Sequence, residues 1–452
     1  MTIIYIPLEI SIPPYQLYQY IREHVQDSFL LESGAGSKQK AELSILGFDP
    51  EKIISLDQAS QKDIFSILRS ELQNHQVSDS GKYIGGLVGT FSYDAFRAIE
   101  NLPDHAPQDK KFPDALFGLF LDGIVYDHLK NKVQYFYQSE IEDRSFFIKD
   151  FIQQINKEPL SKLRNDSNPR FQCNDLEYEC SKDHFAKNVA LIKEKIRNGE
   201  TYQTVYSQRI STSFKGDPYA VYLRLREINP SPYLFFIDLK GYQVFGSSPE
   251  TLVSVHNNTV RTFPLAGTRR LGAPEERDFL KQDLLNDPKE QAEHNMLVDL
   301  GRNDLGKVCT FGSVHVPRYM EIHEFSHVIH IASIVEGQLR DDKDSIDALK
   351  AVFPAGTVSG APKIRSMEII DEVENMRRGP YAGAAGYLSF NNNMDLAIAI
   401  RTFYTVNNRL YLQAGSGIVI DSDPVREYEE TKHKLQALLV ALNQSQIKEV
   451  II

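Results

Sequence analysis

Asp395-Leu396-Ala397-Ile398-Ala399-Ile400-Arg401-Thr402-Phe403-Tyr404 runs on through Asn407-Asn408 into Leu410–Gln413 and Gly417–Ile420. Alternation with period two puts Leu396, Ile398 and Ile400 on one face of a strand, and Ala397, Ala399 and Arg401 on the other. Asn tolerates positive φ, so Asn407-Asn408 reads as a tight turn between antiparallel neighbours. The same grammar recurs upstream. Tyr202–Ser211, Tyr233–Ile237, Gln243–Gly246, Leu252–His256 and Val260–Phe263 read as strands, with Asn257-Asn258 as a turn, and His327–Ile334 and Gly386–Phe390 follow. Helical patterns are interspersed at 277–284, 289–300, 344–352, 362–374 and 425–442. The expected class is α+β: two large antiparallel β-sheets packed face to face, with helices on the outside.

Working outward, residues 1–157 read as an N-terminal lobe. It contains a Gly-broken strand pair at Tyr83–Tyr93, strands at Phe117–Leu121 and Lys132–Tyr137, and a helix at Phe146–Ile155. Residues 158–175 are polar, carry Pro159 and Pro169, and read as a linker. Residues 176–452 form the second lobe. Its first helix has Ser181 as cap, Phe185, Val189, Ile192 and Ile196 as apolar stripe, and Gly199 as terminator.

With 452 residues and a formal charge of −11, the chain is long enough for a large core, and its acidic balance argues against nucleic acid as a partner. No apolar run approaches the roughly 18 residues that span a bilayer, so no membrane partner is expected. Met1–Pro7 lacks the basic leader of a signal peptide. Three cysteines, Cys173, Cys180 and Cys309, are too few and scattered for a disulfide framework or zinc site. A cytoplasmic enzyme is the expectation. The chain contains no Trp.

Two segments share one pattern. Asp287-Pro288-Lys289-Glu290-Gln291-Ala292-Glu293 and Asp423-Pro424-Val425-Arg426-Glu427-Tyr428-Glu429-Glu430 each open a helix with a capping Asp and a Pro at the first position. Each then sets two glutamates three residues apart on one face, where like charges repel unless a cation sits opposite. Two such faces turned together suit Mg2+, which takes one or two carboxylates plus water and substrate oxygens. Either segment alone also reads as a capping box followed by solvated helix surface. Arg401 beside two alanines has room for a carboxylate, or for a core acid. Gln413–Gly417 reads as a Gly-rich connection between two strands, a turn when taken alone. Phe353–Lys363 is a small-residue loop opening a helix whose free N–H groups favour an anion; it fails the P-loop pattern, which points to a carboxylate. His330 lies on a strand face with Val328 and Ala332, as a core residue or an acid–base group. Glu250 follows Ser247-Ser248-Pro249 and becomes a general acid if burial raises its pKa.

Taken in order, these segments resemble the chorismate-utilising enzymes, most closely the large subunits of anthranilate synthases. The resemblance rests on Tyr202-Gln203, Ser207-Gln208-Arg209, Gly246–Glu250, Pro264–Arg269, Ala292–His294, Leu297–Asp304, Phe353–Lys363, Arg378–Tyr381, Ile400–Thr402, Ala414–Gly417 and Arg426–Glu430. It covers about residues 180–442. The resemblance implies that Glu293 and Glu430 bind Mg2+, supported through water by Glu290 and Glu427, and that the metal holds the ring carboxylate of chorismate. Arg401, Tyr381 and the Gly415/Gly417 backbone would receive the enolpyruvyl carboxylate, with Ser416 and Lys434 completing the substrate-binding set. Thr357 and Gly267-Thr268 would line the ring. Glu250 would protonate the departing C4 hydroxyl, ammonia would attack C2, and His330 would assist loss of pyruvate.

Two further positions sort the family. Members that add water at C2 carry Lys where this chain has Gln203, and folate-route aminodeoxychorismate synthases commonly carry a nucleophilic Lys where this chain has Ala266. Anthranilate synthase is thereby favoured; aminodeoxychorismate synthase component I and aminodeoxyisochorismate synthase remain as alternatives. The resemblance also implies feedback inhibition by L-tryptophan in a pocket formed by Leu31, Glu32 and Ser33 with Pro230, Ser231, Pro232, Tyr233 and Leu234, Glu32 meeting the inhibitor's amino group. No cysteine sits in a glutaminase-like elbow, so a separate glutamine amidotransferase subunit is expected to supply ammonia in a hetero-oligomer.

Overall fold

A computed structural model describes residues 1–34, 42–57, 63–107, 112–157, 171–324 and 328–442; residues 158–170 of the expected linker 158–175 and His327, the expected strand start, lie outside the described residues, and Phe171–Cys173, at the linker's end, pairs as a short strand with Phe214–Gly216. Two antiparallel sheets organise the chain, one of 13 strands and one of 10. The larger runs, edge to edge, Ile3–Pro7, Lys132–Gln138, Asp122–Asp127, Leu43–Phe48, Ser28–Glu32, Tyr233–Leu239, Tyr242–Ser248, Thr402–Val406, Arg409–Ile418, Gln203–Gly216 and Glu177–Tyr178. The smaller runs Leu265–Arg270, Val328–Gln338, Thr259–Thr262, Thr251–His256, Met394–Ile398, Ala384–Ser389, Gly86–Phe91, Ala115–Phe120 and Lys52–Leu56.

Tyr233–Leu239 shows why the sequence folds this way. Phe235 and Ile237 point into the core between the sheets, against Phe29, Val88, Leu116 and Ala385. Leu234 and Phe236 point the other way, into a core shared with the helices Pro14–Arg22, Ser145–Lys157, Pro218–Ile228 and Pro424–Ala441. Both faces are covered, so this strand is a continuous apolar run rather than an alternating one. Helices Ile64–Asn74, Pro288–Gly306 and Ser345–Val352 cover the outer face of the smaller sheet. Residues 1–157 and 176–452 meet strand to strand in both sheets: Leu31 stands opposite Phe235, and Gly89 opposite Gly386.

Three expectations change. Asp395–Tyr404 is not one strand: Met394–Ile398 belongs to the smaller sheet and Thr402–Val406 to the larger, with a crossing at 399–401 where Arg401 adopts φ +49°. Arg401 therefore does not extend the alternating face that carries Ala397. Gln413–Gly417 is no connection between strands but lies inside the single strand Arg409–Ile418. Tyr83–Tyr93 yields one strand, Gly86–Phe91, because Gly85 and Gly86 hold positive φ before it and a 3-10 turn, Tyr93–Ala98, follows. The two Asp-Pro helices start as expected: Asp287 accepts from Lys289 N at 2.9 Å, and Asp423 from Val425 N and Arg426 N at 3.1 and 3.0 Å.

Gly86 has φ +144°, and a Cβ there would stand 2.1 Å from the Leu388 carbonyl oxygen, whereas Gly199, φ +80°, has nothing within 4 Å. Both Gly→Ala substitutions carry the strain of a positive φ, about 1–3 kcal/mol. Urea titration will show Gly86→Ala losing clearly more stability than Gly199→Ala, because only the former also forces two paired strands apart.

Candidate active site

Two strands cross from sheet to sheet side by side. Tyr242–Ser248 in the larger sheet continues through Pro249-Glu250 into Thr251–His256 in the smaller. Its neighbour makes the reverse passage through Ala399–Arg401. The two crossings are tied by Ser247 N donating to Arg401 O at 3.1 Å and Ile398 N donating to Glu250 O at 3.0 Å. Backbone bonding in this ribbon leaves the side chains of Glu250 and Arg401 at the seam between the sheets.

Glu250 is 7% exposed. Burial pushes its carboxyl up to about 8, opposed by the Thr357 hydroxyl, the Leu265 backbone and the charge of Lys434. It is thus a protonated acid at neutral pH. Glu250 and Thr357 line one small cavity with Pro264, Leu297 and Leu300. Burial pushes the Arg401 guanidinium below its ordinary value. Arg401 Nη1 donates to the neutral Asn229 Oδ1 at 3.3 Å, and among the described residues no carboxylate pairs with it. A desolvated cation without a countercharge fits an anionic ligand.

The larger sheet brings Gln203 and Gly415–Gly417 to this seam. Val205 stands opposite Gly417 and Ser207 opposite Gly415. Pairing of this strand with Thr402–Val406 ends at Leu412. The glycines are required by what lies over them: a Cβ at 417 would meet Gln203 Nε2 at 2.3 Å, and one at 415 the Tyr381 hydroxyl at 2.9 Å. Lys434 Nζ donates to Gly415 O at 3.0 Å and pairs with Glu430 at 2.8 Å.

The smaller sheet brings Ala266, Gly267 and His330. His330 Nδ1 donates to the Gly267 carbonyl at 2.8 Å. Burial, with the Arg401 and Lys434 charges behind it, lowers the imidazole to about 4, so it is neutral at working pH. Thr268 stands opposite His330 in the register, and its side chain lies outside the described residues. A Cβ at Gly267 would stand 3.1 Å from Glu290 Oε2.

The two acidic helices flank the seam, one packed on each sheet. Burial and the neighbouring Glu293 raise Glu290; burial and the neighbouring Glu430 raise Glu427, which the Ser422 and Ser416 hydroxyls partly restrain. Gln203 Nε2 donates to Glu293 Oε1 at 3.0 Å, joining the larger sheet to the opposite helix. Among the described residues, no group of three or more His, Cys, Asp or Glu side chains could hold a metal ion by itself. Two like-charged pairs of hard oxygen donors still fit a cation that takes most of its shell from water and substrate.

Sequence reasoning assigned no role to Arg269 and did not foresee Asn229 as the partner of Arg401. Arg269 donates to Asp283, Asp287 and Glu290 at 2.7, 2.8 and 3.3 Å, tying the acidic helix to the one before it. Its signal was the run of acids across one helix boundary, Asp283 in the first helix, Asp287 capping the second and Glu290 in its first turn. Asn229 shows no signal beyond its place at the end of a helix.

A second pocket is lined by Leu31, Glu32, Ser33, Pro232, Tyr233 and Leu234, together with Tyr387 and Asp395. Pro230 and Ser231 are not among its lining residues. The expected role of Glu32 meets a competitor: its carboxylate accepts from Tyr222 at 2.8 Å and from Arg226 at 2.9 and 3.2 Å. Another acid lining this pocket is Asp395, which burial raises to about 6 and which accepts from the Tyr233 hydroxyl at 2.8 Å.

A family model described as chorismate binding enzyme matches residues 26–440. Anthranilate synthase component 1 of Acetivibrio thermocellus is 42% identical, covering 92% of this chain and 90% of the relative. The Saccharolobus solfataricus protein of that name is 39% identical, covering 96% and 98%. The crystal structure of anthranilate synthase component I from Streptococcus pneumoniae superposes with a TM-score of 0.79 at 38% identity, covering 89% of this chain and 95% of that one.

The raised Glu250 sets a pH dependence of stability. Its folded pKa lies above the unfolded value near 4.3, so the folded state holds the extra proton between them, and stability falls as pH rises from about 4.5 to 8. Urea unfolding across that window will show Glu250→Gln without this component, a slope difference of up to about 1.4 kcal/mol per pH unit.

Proposed function

The chain belongs to the chorismate-binding enzymes, and from that premise and the seam site we infer that it is the large subunit of an anthranilate synthase, converting chorismate and ammonia to anthranilate and pyruvate. The observation that carries this reading is the protonated, buried Glu250 on one sheet crossing and the uncompensated Arg401 on the crossing whose backbone is hydrogen-bonded to it. Arg401, Tyr381 and the Gly415/Gly417 backbone take the enolpyruvyl carboxylate. Thr357 and Gly267-Thr268 bound the ring, with Ser416 and Lys434 at its edge. Glu250 gives its proton to the C4 hydroxyl, which leaves as water while ammonia adds at C2 and the ring double bonds shift. His330, neutral and oriented by Gly267 O, assists the second step, in which C2 loses its hydrogen, pyruvate departs and the ring becomes aromatic.

Gln203 is spent on Glu293 and cannot deprotonate water, which disfavours hydroxylation at C2. Ala266 offers no nucleophile, which disfavours the folate-route chemistry. Glu293 and Glu430, with Glu290 and Glu427 behind them, are the carboxylates we assign to Mg2+. The bound ion supplies positive charge for the ring carboxylate. A separate glutamine amidotransferase subunit delivers ammonia, and free ammonium replaces it in vitro. The second pocket is the candidate site for L-tryptophan, whose aromatic side chain matches the apolar walls of Leu31, Pro232 and Leu234, placing the enzyme at the entry to tryptophan synthesis. Three free cysteines accord with a cytoplasmic setting.

Purified protein with chorismate, Mg2+ and ammonium should develop anthranilate fluorescence with equimolar pyruvate, abolished by EDTA. Glu250→Gln should lower kcat by about 10²–10⁴-fold. In the wild type kcat should fall above pH 8, where the acid loses its proton. Glu293→Gln and Glu430→Gln should each weaken Mg2+ activation; turnover unchanged in both would remove the metal assignment. Formation of an aminated product without pyruvate would reassign the chain to one of its two alternatives.

A further inference from the structure

Arg378 is a large cation with 1% of its surface exposed, far from any solvent role. Each nitrogen of its fork donates. Nε and Nη2 donate to the two oxygens of Glu374 at 2.8 and 2.7 Å. Nη1 donates to Val358 O at 2.6 Å, and Nη2 also to Val205 O at 2.7 Å. The guanidinium lies over the Tyr93 ring at 4.6 Å and the Tyr381 ring at 5.7 Å. Glu374 in turn accepts from Ser207 N and Oγ at 3.0 and 2.7 Å, and Gln413 Nε2 donates to that hydroxyl at 2.8 Å.

Three of these partners lead to the seam: Val358 and Val205 are chain neighbours of groups there, and Tyr381 is one of those groups. Val358 follows Thr357, which lines the Glu250 cavity. Val205 follows Gln203 by two residues and stands opposite Gly417. Tyr381 is three residues beyond Arg378 and its hydroxyl sits over Gly415. A buried ion pair of this kind is weak evidence for stability, since an apolar pair could fill the same volume without the desolvation cost. Lys cannot reproduce its planar, multi-pronged geometry.

We propose that Arg378, held by Glu374, is a positioning residue: it fixes Thr357 against Glu250, the Gln203 strand against Gly417, and the Tyr381 hydroxyl, all from one guanidinium. The inference rests on the reading of Glu250 and Tyr381 given above. A purely structural pair would set melting temperature and nothing else. A positioning pair also sets the surroundings of Glu250, because Thr357 lines the same cavity as that carboxyl, and it sets affinity for chorismate through Tyr381.

The test is the pH profile of kcat, with KM for chorismate, in Arg378→Lys and in the milder Ser207→Ala, which deletes one hydroxyl bond to Glu374. Thr357→Val and Glu250→Gln serve as references, with ammonium as nitrogen source. The expected result is an alkaline limb displaced to higher pH in Arg378→Lys, in the direction seen for Thr357→Val. It is accompanied by a raised KM and a loss of kcat/KM of about 10²-fold, the cost of roughly 1 Å of misplacement. Ser207→Ala should move both readouts in the same direction by less. If Arg378→Lys does not fold, Ser207→Ala decides alone. Folded variants whose limb and KM match the wild type, with only melting temperature lowered, would overturn the proposal. A Glu250→Gln variant that retains the wild-type limb would instead overturn the assignment of Glu250.

Discussion

The chain passes between its two sheets at neighbouring points, through Pro249-Glu250 in one direction and Ala399–Arg401 in the other, and two backbone hydrogen bonds lock the passages together. The geometry of the seam follows from that lock. A strand that changes sheets must break its pairing, and the residues at the break present side chains into the gap rather than onto a packed face. One crossing carries an acid and the other a cation, each deprived of water. The rest of the site is assembled around them from strands already fixed by their sheets, Gln203 and Gly415–Gly417 from one side, Ala266, Gly267 and His330 from the other.

The electrostatics are consistent with this placement. Desolvation neutralises Glu250 and His330, so the groups assigned to proton transfer carry no charge before substrate arrives. Arg401 cannot respond in that way and stays a cation facing a neutral amide. The two glutamate pairs on the flanking helices are only partly compensated, Glu290 by Arg269 and Glu430 by Lys434, which leaves like charge that a bound cation would relieve. An anion with two carboxylates would compensate both imbalances, one directly and one through a metal.

Much of this was legible in the sequence, and the failures have physical causes. The Asp-Pro starts gave both acidic helices because capping is local. Tyr233–Leu239 and its neighbours were found because β-branched and aromatic runs with turn signals at their ends are also local. Arg401 was found for the wrong reason. Its alternation continues smoothly through 399–401, but a change of sheet is a tertiary event that leaves no break in the pattern. Gly415 and Gly417 read as a turn because the signal for a turn and for side chains lying over a strand is the same glycine. Arg378 could not be assigned a role, nor Asn229 its place against Arg401, since their partners lie up to 173 residues away. Short apolar strands such as Ser28–Glu32 and Lys52–Leu56 were missed because a run of five residues without alternation has no period to detect.

The partnership of N-terminal and C-terminal strands governs the order in which the chain can be completed during synthesis. Ser28–Glu32 meets Tyr233–Leu239 about two hundred residues later, and Gly86–Phe91 waits for Ala384–Ser389, about three hundred later. Until those partners leave the ribosome, both early strands present apolar edges with unpaired backbone. At 5–20 residues per second, the later interval lasts on the order of 15–60 seconds. Closing loops of that length is entropically slow. Each early strand thus keeps one apolar edge unpaired for as long as synthesis takes to reach its partner, the state in which a sheet protein is most exposed to pairing with another chain.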